Sequence, residues 1–143
     1  MTKSDLPLST GEHYVDWYES EYQAFHEQKP QFANRIQANS KELMDVSSKQ
    51  GLLYFLNEDG IRIGLIAGEN DTFLDKPAIY LNEIMISQSH RRKGYAGKLL
   101  AGFINRLNAD YFICDIDADN IPSTKTALRS GQKVFSQEIF VDV

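Results

Sequence analysis

The residues best suited to chemistry lie in one stretch. Ile84-Met85-Ile86 leads into Ser87-Gln88-Ser89-His90, and Arg91-Arg92-Lys93-Gly94-Tyr95-Ala96-Gly97-Lys98 then opens a helix. A strand that feeds a glycine turn at a helix N-terminus aims several backbone N–H groups, and the positive end of the helix dipole, at one spot. That spot suits a phosphate. Gly94 and the small Ala96 and Gly97 let a ligand approach the backbone, and the flanking cations add point charges. The alternative is a plain strand-to-helix turn in which Gly94 only supplies an unusual dihedral angle.

The charge pattern sets this stretch apart. From Ile84 to Ala109 there are five bases (Arg91, Arg92, Lys93, Lys98, Arg106) and no acid, in a 143-residue chain whose 15 Lys+Arg and 20 Asp+Glu leave a net −5. An acidic body with one basic island argues against nucleic acid as a partner and fits a small anion held at one place; a solvated helix face is the other reading. Two familiar phosphate motifs fail. A P-loop needs Gly where Arg92 stands and Ser or Thr where Leu99 stands, and the dinucleotide fingerprint needs a second glycine at Ala96.

Other chemistry has less support. A single cysteine, Cys114, rules out an internal disulfide framework and an all-cysteine metal site, and its apolar strand reads as core. His13, His26 and His90 lack metal-ligand spacing, so no metal is expected. No apolar run approaches the roughly 20 residues of a membrane span, and MTKSDLPLST has no secretory h-region, so a cytoplasmic protein without a membrane partner is expected.

The elements that must position the stretch follow from periodicity. The length predicts a single domain over 1–143, able to bury about two-thirds of its unfolded surface. Ser9-Thr10-Gly11-Glu12 has the form of a capping box, and Tyr14, Tyr18, Tyr22 and Phe25 follow at helical spacing, which predicts a helix over 10–28. Pro30 opens a second predicted helix running to about Ser48, with Phe32, Ile36, Leu43 and Val46 on one face. Residues 52–56 and 61–66 predict a β-hairpin, 68–77 a polar loop, and 78–86 a third strand. Leu99, Leu100, Phe103, Ile104 and Leu107 mark the clearest helix, and 111–116 is a compact strand. Asn120 can cap a short helix ending before Gly131, and 133–143 alternates as a last strand. The predicted order is ααβββαβαβ, an α/β (α+β) arrangement.

On these residues the chain resembles the GNAT N-acetyltransferase superfamily. Arg91, Gly94 and Ala96 fit its Arg/Gln-x-x-Gly-x-Gly/Ala signature between a strand and an amphipathic helix. Asn120-Ile121-Pro122-Ser123 up to Gly131 is similar to the family's later Asn-x-x-Ala/Ser…Gly piece. The resemblance covers about 51–135 and implies a GNAT-like fold: a central mixed sheet of about five or six strands flanked by about four helices. It also implies an acetyl-CoA site. Pantetheine would lie between strands 78–86 and 111–116, against backbone near Met85 and Ile86, with Asn120 as a cap, a pantetheine contact, or both. The pyrophosphate would sit on the N–H groups of 91–96, and Arg91, Arg92, Lys93 and Lys98 would be the nearest bases for the remaining phosphate.

The reaction so implied is acetyl transfer from acetyl-CoA to a primary amine of a small molecule or peptide. An alkylammonium has a pKa of about 10 and no free lone pair, so the site must remove a proton, stabilise an oxyanion and protonate the leaving thiolate. Glu83 is the candidate base, or else a solvent-facing strand glutamate. The tyrosine that often serves as acid is replaced by Ala127, which leaves Ser123 as candidate acid or as a first-turn helix residue with a local hydrogen bond. The aromatics Tyr14, Trp17, Tyr18, Tyr22 and Phe25 read as core, and the resemblance places one or two of them beside the acceptor. A catalytically idle acyl-CoA-binding or regulatory module is the alternative function. The family usually begins with a strand, and 1–9 shows no strand pattern; a shortened sheet with an exposed edge would allow a homodimer.

Overall fold

The computed structural model describes residues 8–10, 13–33, 37–107, 109 and 111–113. They form a mixed sheet in the order β1-β2-β3-β4-β5: β1 (Leu8–Thr10), β2 (Leu53–Glu58), β3 (Ile61–Phe73), β4 (Lys76–Ile86) and β5 (Tyr111–Ile113). Neighbours are antiparallel except β4 and β5, which are parallel and joined through a helix, as a parallel pair requires. Helices α1 (Val15–Gln28) and α2 (Lys41–Lys49) cover one face, and α3 (Tyr95–Arg106) covers the other. The α+β class expected from the sequence holds. The short helix after Asn120 and the strand over 133–143 lie outside the described residues.

The β2–β3 turn at Asp59-Gly60 has φ of 52° and 77°, the left-handed pair that matches the twist of a two-residue hairpin. Residues 68–77 are not a loop. β3 and β4 continue as a long ribbon that turns at Leu74-Asp75, again with both φ values positive (52° and 61°). The segment is polar because the ribbon runs past the packed sheet and exposes Asn70, Asp71, Thr72, Lys76 and Pro77 to water. Polarity signalled exposure there, not irregular backbone.

The N-terminal expectations also need correction. Ser9 and Thr10 pair with Phe55 and Tyr54 in β1, so they form no capping box; α1 starts at Val15, and its N-cap Tyr14 makes no side-chain cap bond. A strand therefore exists where none was expected. The predicted second helix is a three-residue 3-10 turn, Pro30–Phe32, and a separate α2 whose N-cap Ser40 accepts from Leu43 N at 3.2 Å. The buried positions of α2 are Met44 and Ser47, while Val46 is 39% exposed. The sequence pattern chose the wrong face because Ser47 is buried as a polar partner: its Oγ accepts from Asn82 Nδ2 at 3.1 Å.

Two cores sandwich the sheet. Tyr14, Tyr18, Tyr22, Phe25 and Met44 pack on Leu53, Phe55, Leu65, Ala67 and Met85, and Leu99, Leu100 and Phe103 pack on Ile63, Ile66, Ile79 and Ile86. A Cβ at Gly68 would stand 2.9 Å from Ile79 Cγ2 and 3.1 Å from Phe103 Cζ, so glycine is what lets α3 seat this closely. Truncating the fully buried Phe103 to Ala should cost about 3–5 kcal/mol.

Candidate active site

The glycine turn follows directly from β4. Buried Ser87 closes the strand with its N–H on Ile63 O at 2.9 Å, and its Oγ lies 2.7 Å from His90 Nδ1 in a short 3-10 turn. Arg92 (φ 64°) and Gly94 (φ 80°) then take left-handed backbone on either side of Lys93, which folds the turn into a concave cradle. Gly94 is the N-cap of α3 and no side chain caps that end, so the first-turn N–H groups are open to a ligand or water. A Cβ at Gly94 or Gly97 would meet no atom within 4 Å. Arg92 and Lys93 in the turn and Lys98 in the first turn of α3 are exposed, Lys98 Nζ lying 5.5 Å from the Tyr95 ring centroid. Tyr95 turns away, donating its hydroxyl to Glu58 Oε2 at 2.5 Å and so fixing the start of α3 to the end of β2.

β4 carries the second half of the site. Its ladder with β5 spans only Ala78 to Tyr80; residues 81–86 have β3 on one side and no strand on the other among the described residues. Ser87 bonds toward β3, so alternation along the strand turns the backbone of Ile86 to the open side. Between Glu83 and Leu81 the register with β3 slips by one, which leaves Asn82 as a bulge. Asn39 Nδ2 donates to the Asn82 carbonyl at 2.9 Å, holding the bulge against the segment before α2.

Glu83 follows the bulge and points into the α1 face. Its Oε2 accepts from both Tyr18 and Tyr22 hydroxyls at 2.6 Å, and its Oε1 accepts from Ile84 N at 3.1 Å. Burial pushes the carboxyl up to about 6, opposed by the two hydroxyls, the Ile84 N–H and the charge of Arg91. The residue as a whole is half-buried, and protein atoms crowd its carboxyl on nearly every side. Burial, then the Glu83 charge, raises both tyrosines well above the ordinary phenol range, so they remain donors near neutrality.

Arg91 joins the two halves. Its side chain leaves the turn inward, donating from Nε to Ile86 O and from Nη2 to Met85 Sδ, each at 3.1 Å, with its guanidinium 5.0 Å from the Phe25 ring centroid. Burial lowers its pKa, and Glu21, Tyr22 and Glu83 pull the other way. The next residue along the chain, Arg92, is exposed at the cradle instead.

Of the residues singled out from the sequence, Arg92, Lys93 and Gly94 lie in the turn and Ala96, Gly97 and Lys98 in the first turn of α3, while the Met85 and Ile86 side chains are buried at the end of β4. Glu83 stands on the α1 side of β4. Asn120 and Ser123 lie outside the described residues. Among the described residues, no group of three His, Cys, Asp or Glu could hold a metal ion, and no helix is long and apolar enough to cross a membrane. Sequence reasoning missed Tyr18, Tyr22 and Asn39 as partners of Glu83 and of the bulge. The i, i+4 tyrosine spacing was the available signal, and it is the same spacing as a plain core stripe.

Comparison with known proteins gives this geometry a family. Residues 12–131 match the model of the Acetyltransferase (GNAT) family. No curated protein matches the sequence. Among solved structures, a mutant of the BH1408 protein from Bacillus halodurans is similar with a TM-score of 0.69 at 10% identity, over 96% of this chain and 98% of that one. The aminoglycoside 6'-N-acetyltransferase AAC(6')-IG from Acinetobacter haemolyticus gives 0.62 at 16% identity, over 97% of each chain. AAC(6')-Iy, an aminoglycoside N-acetyltransferase solved with CoA, gives 0.62 at 17% identity, over 97% of this chain and 98% of that one. The family match spans most of the chain and includes both the cradle and Glu83, so the protein belongs to the GNAT acetyltransferase family.

Proposed function

We propose that the protein transfers the acetyl group of acetyl-CoA to a primary amine of a small molecule or peptide. The observation that carries this reading is Glu83: a carboxylate on β4, pushed up to about 6, one strand-and-turn away from an uncapped, glycine-lined helix N-terminus. A base with that pKa is ionised at neutral pH yet holds a proton far better than an ordinary glutamate. The open space over Gly94 and Gly97 fits a pyrophosphate, and Arg92, Lys93 and Lys98 supply cations around it.

In this reading acetyl-CoA supplies an activated thioester. The backbone N–H groups of 91–96 and the flanking bases hold its phosphates, and the open edge of β4 at Ile86, next to Met85 whose backbone faces β3, aligns its pantetheine arm. Glu83 takes one proton from the acceptor ammonium, and the freed amine nitrogen then attacks the thioester carbonyl, forming the C–N bond as the C–S bond breaks. Ser123 is the proposed donor to the leaving thiolate and Asn120 a pantetheine contact, both carried by the family resemblance. A coenzyme thiol leaves readily near neutrality, so Ser123→Ala should lower the rate less than Glu83→Gln. The similarity to aminoglycoside acetyltransferases, and an acidic body with net charge −5, favour a cationic acceptor.

A thiol-release screen with acetyl-CoA against polyamines, aminoglycosides, amino acids and N-terminal peptides tests the proposal. Amine-dependent release of CoA is the expected result. Tight CoA binding with no turnover on any amine would instead support the idle, coenzyme-binding module.

A further inference from the structure

Glu83 is held more tightly than a simple base needs to be. A carboxylate offers about four lone-pair positions. Two hydroxyls occupy Oε2 at 2.6 Å, and the Ile84 N–H occupies one position of Oε1. Among the described residues, one acceptor position remains, and it is on Oε1. The hydroxyls are themselves fixed: Tyr18 Oη accepts from Asn39 N at 2.8 Å, and the two rings meet edge-to-face with centroids 5.1 Å apart. Both tyrosines are almost fully buried, so neither hydroxyl can swing away to solvent.

We propose that Tyr18 and Tyr22 are positioning residues that occupy Oε2 of Glu83 and so make Oε1 the oxygen that receives the proton of the acceptor amine. This rests on the acetyl-transfer reading above. One proton passes from the ammonium nitrogen to Oε1, directly or through one water. The freed nitrogen lone pair forms the C–N bond as the thioester C–S bond breaks, its electrons leaving with sulfur. The second N–H proton goes to the thiolate, and Glu83 returns its proton to solvent. The charged and titratable groups around Glu83 are Tyr18 and Tyr22 from α1, with His26 against the Tyr22 ring, and Arg91 from the turn. Arg91 acts on Glu83 through its charge while its donors go to Ile86 O and Met85 Sδ, so the tyrosines are the groups that set which oxygen is free.

The test has two arms that do not share a failure. In the first, side-chain carboxyl carbons of glutamate are followed by NMR against pH in the CoA-free protein, for wild type, Tyr18→Phe and Tyr22→Phe. Each substitution removes a donor to the carboxylate, so the Glu83 titration should move up by about one pH unit in either variant. An unmoved titration in variants that retain the wild-type melt overturns the proposal. Should either variant not fold, the wild type decides alone: the two tyrosine hydroxyl protons should resonate downfield and shift together as Glu83 titrates, and their absence overturns the proposal. In the second arm, the acid limb of kcat against pH should move with the NMR value, about tenfold in rate below the limb, with KM for acetyl-CoA unchanged. A limb that stays put while the NMR titration moves contradicts the proposed role. If no amine is turned over, the acetyl-transfer reading falls, and the NMR arm still decides how Glu83 is held.

Discussion

The two halves of the site are built in opposite ways. The cradle is contiguous and made of backbone: Arg92, Gly94 and the first turn of α3 form it within a few residues, and little in it depends on a distant side chain. The Glu83 pocket is assembled from side chains far apart in sequence, with Tyr18 and Tyr22 more than sixty residues away and Asn39 holding both Tyr18 and the bulge at Asn82. A contiguous backbone site should be sensitive to φ and to added bulk, and tolerant of distant changes. A side-chain pocket should respond to deletion of single polar atoms. Arg91 has its backbone in the first and its side chain against the second.

The largest effect should come from the cradle. Gly94→Val places a β-branched residue at φ 80°, so CoA binding measured by calorimetry should weaken on the order of 100-fold or more, with a stability loss of about 1–2 kcal/mol. A Cβ there would meet no protein atom within 4 Å, so the fold itself should survive. Wild-type affinity in this variant would place the phosphates elsewhere.

Glu83→Gln should come next, lowering kcat by about 10²-fold or more with little change in CoA affinity. Equal losses in both would merge the two halves into one. Removing Lys93 and Lys98 together should weaken CoA binding by about tenfold and flatten its dependence on salt, because these exposed charges act through screened attraction. A salt dependence identical to wild type would exclude them as phosphate partners.

What the sequence could reveal divides along the same line. The turn was legible because its glycine, small residues and bases are adjacent, and α3 because Leu99, Leu100 and Phe103 recur at helical spacing. Glu83 was legible only as a strand glutamate beside the cleft. Its tyrosine partners were hidden because a hydroxyl's target depends on how α1 docks, and Tyr18 and Tyr22 also serve the core. β1 was missed because three residues paired to an edge leave little pattern, and the β3–β4 ribbon because a strand exposed on both faces loses its apolar alternation.

Smaller effects sharpen the contrast. Gly97→Ala meets no atom within 4 Å and sits in a helix, so it should stabilise the protein by about 0.5–1 kcal/mol while weakening CoA binding several-fold. A more stable protein with unchanged affinity would show that the ligand does not use that space. Thermal melts across pH probe the pocket. The Glu83 carboxyl is raised from 4.5 to about 6, so its contribution to stability is fully present below about pH 4.5 and is lost as pH rises through 6. Glu83→Gln should therefore gain up to about 2 kcal/mol relative to wild type between those values. No relative gain would mean the hydroxyls fully offset the burial.

The most direct measurement is the initial rate of acetyl transfer against pH for wild type and Glu83→Gln, with the best amine from the screen. The wild-type rate should rise through an apparent pKa near 6, as Glu83 ionises, and the glutamine variant should lose that limb along with most of its rate. The same limb in both proteins, at similar rates, would remove Glu83 from the chemistry and leave the cradle as a coenzyme site without its base.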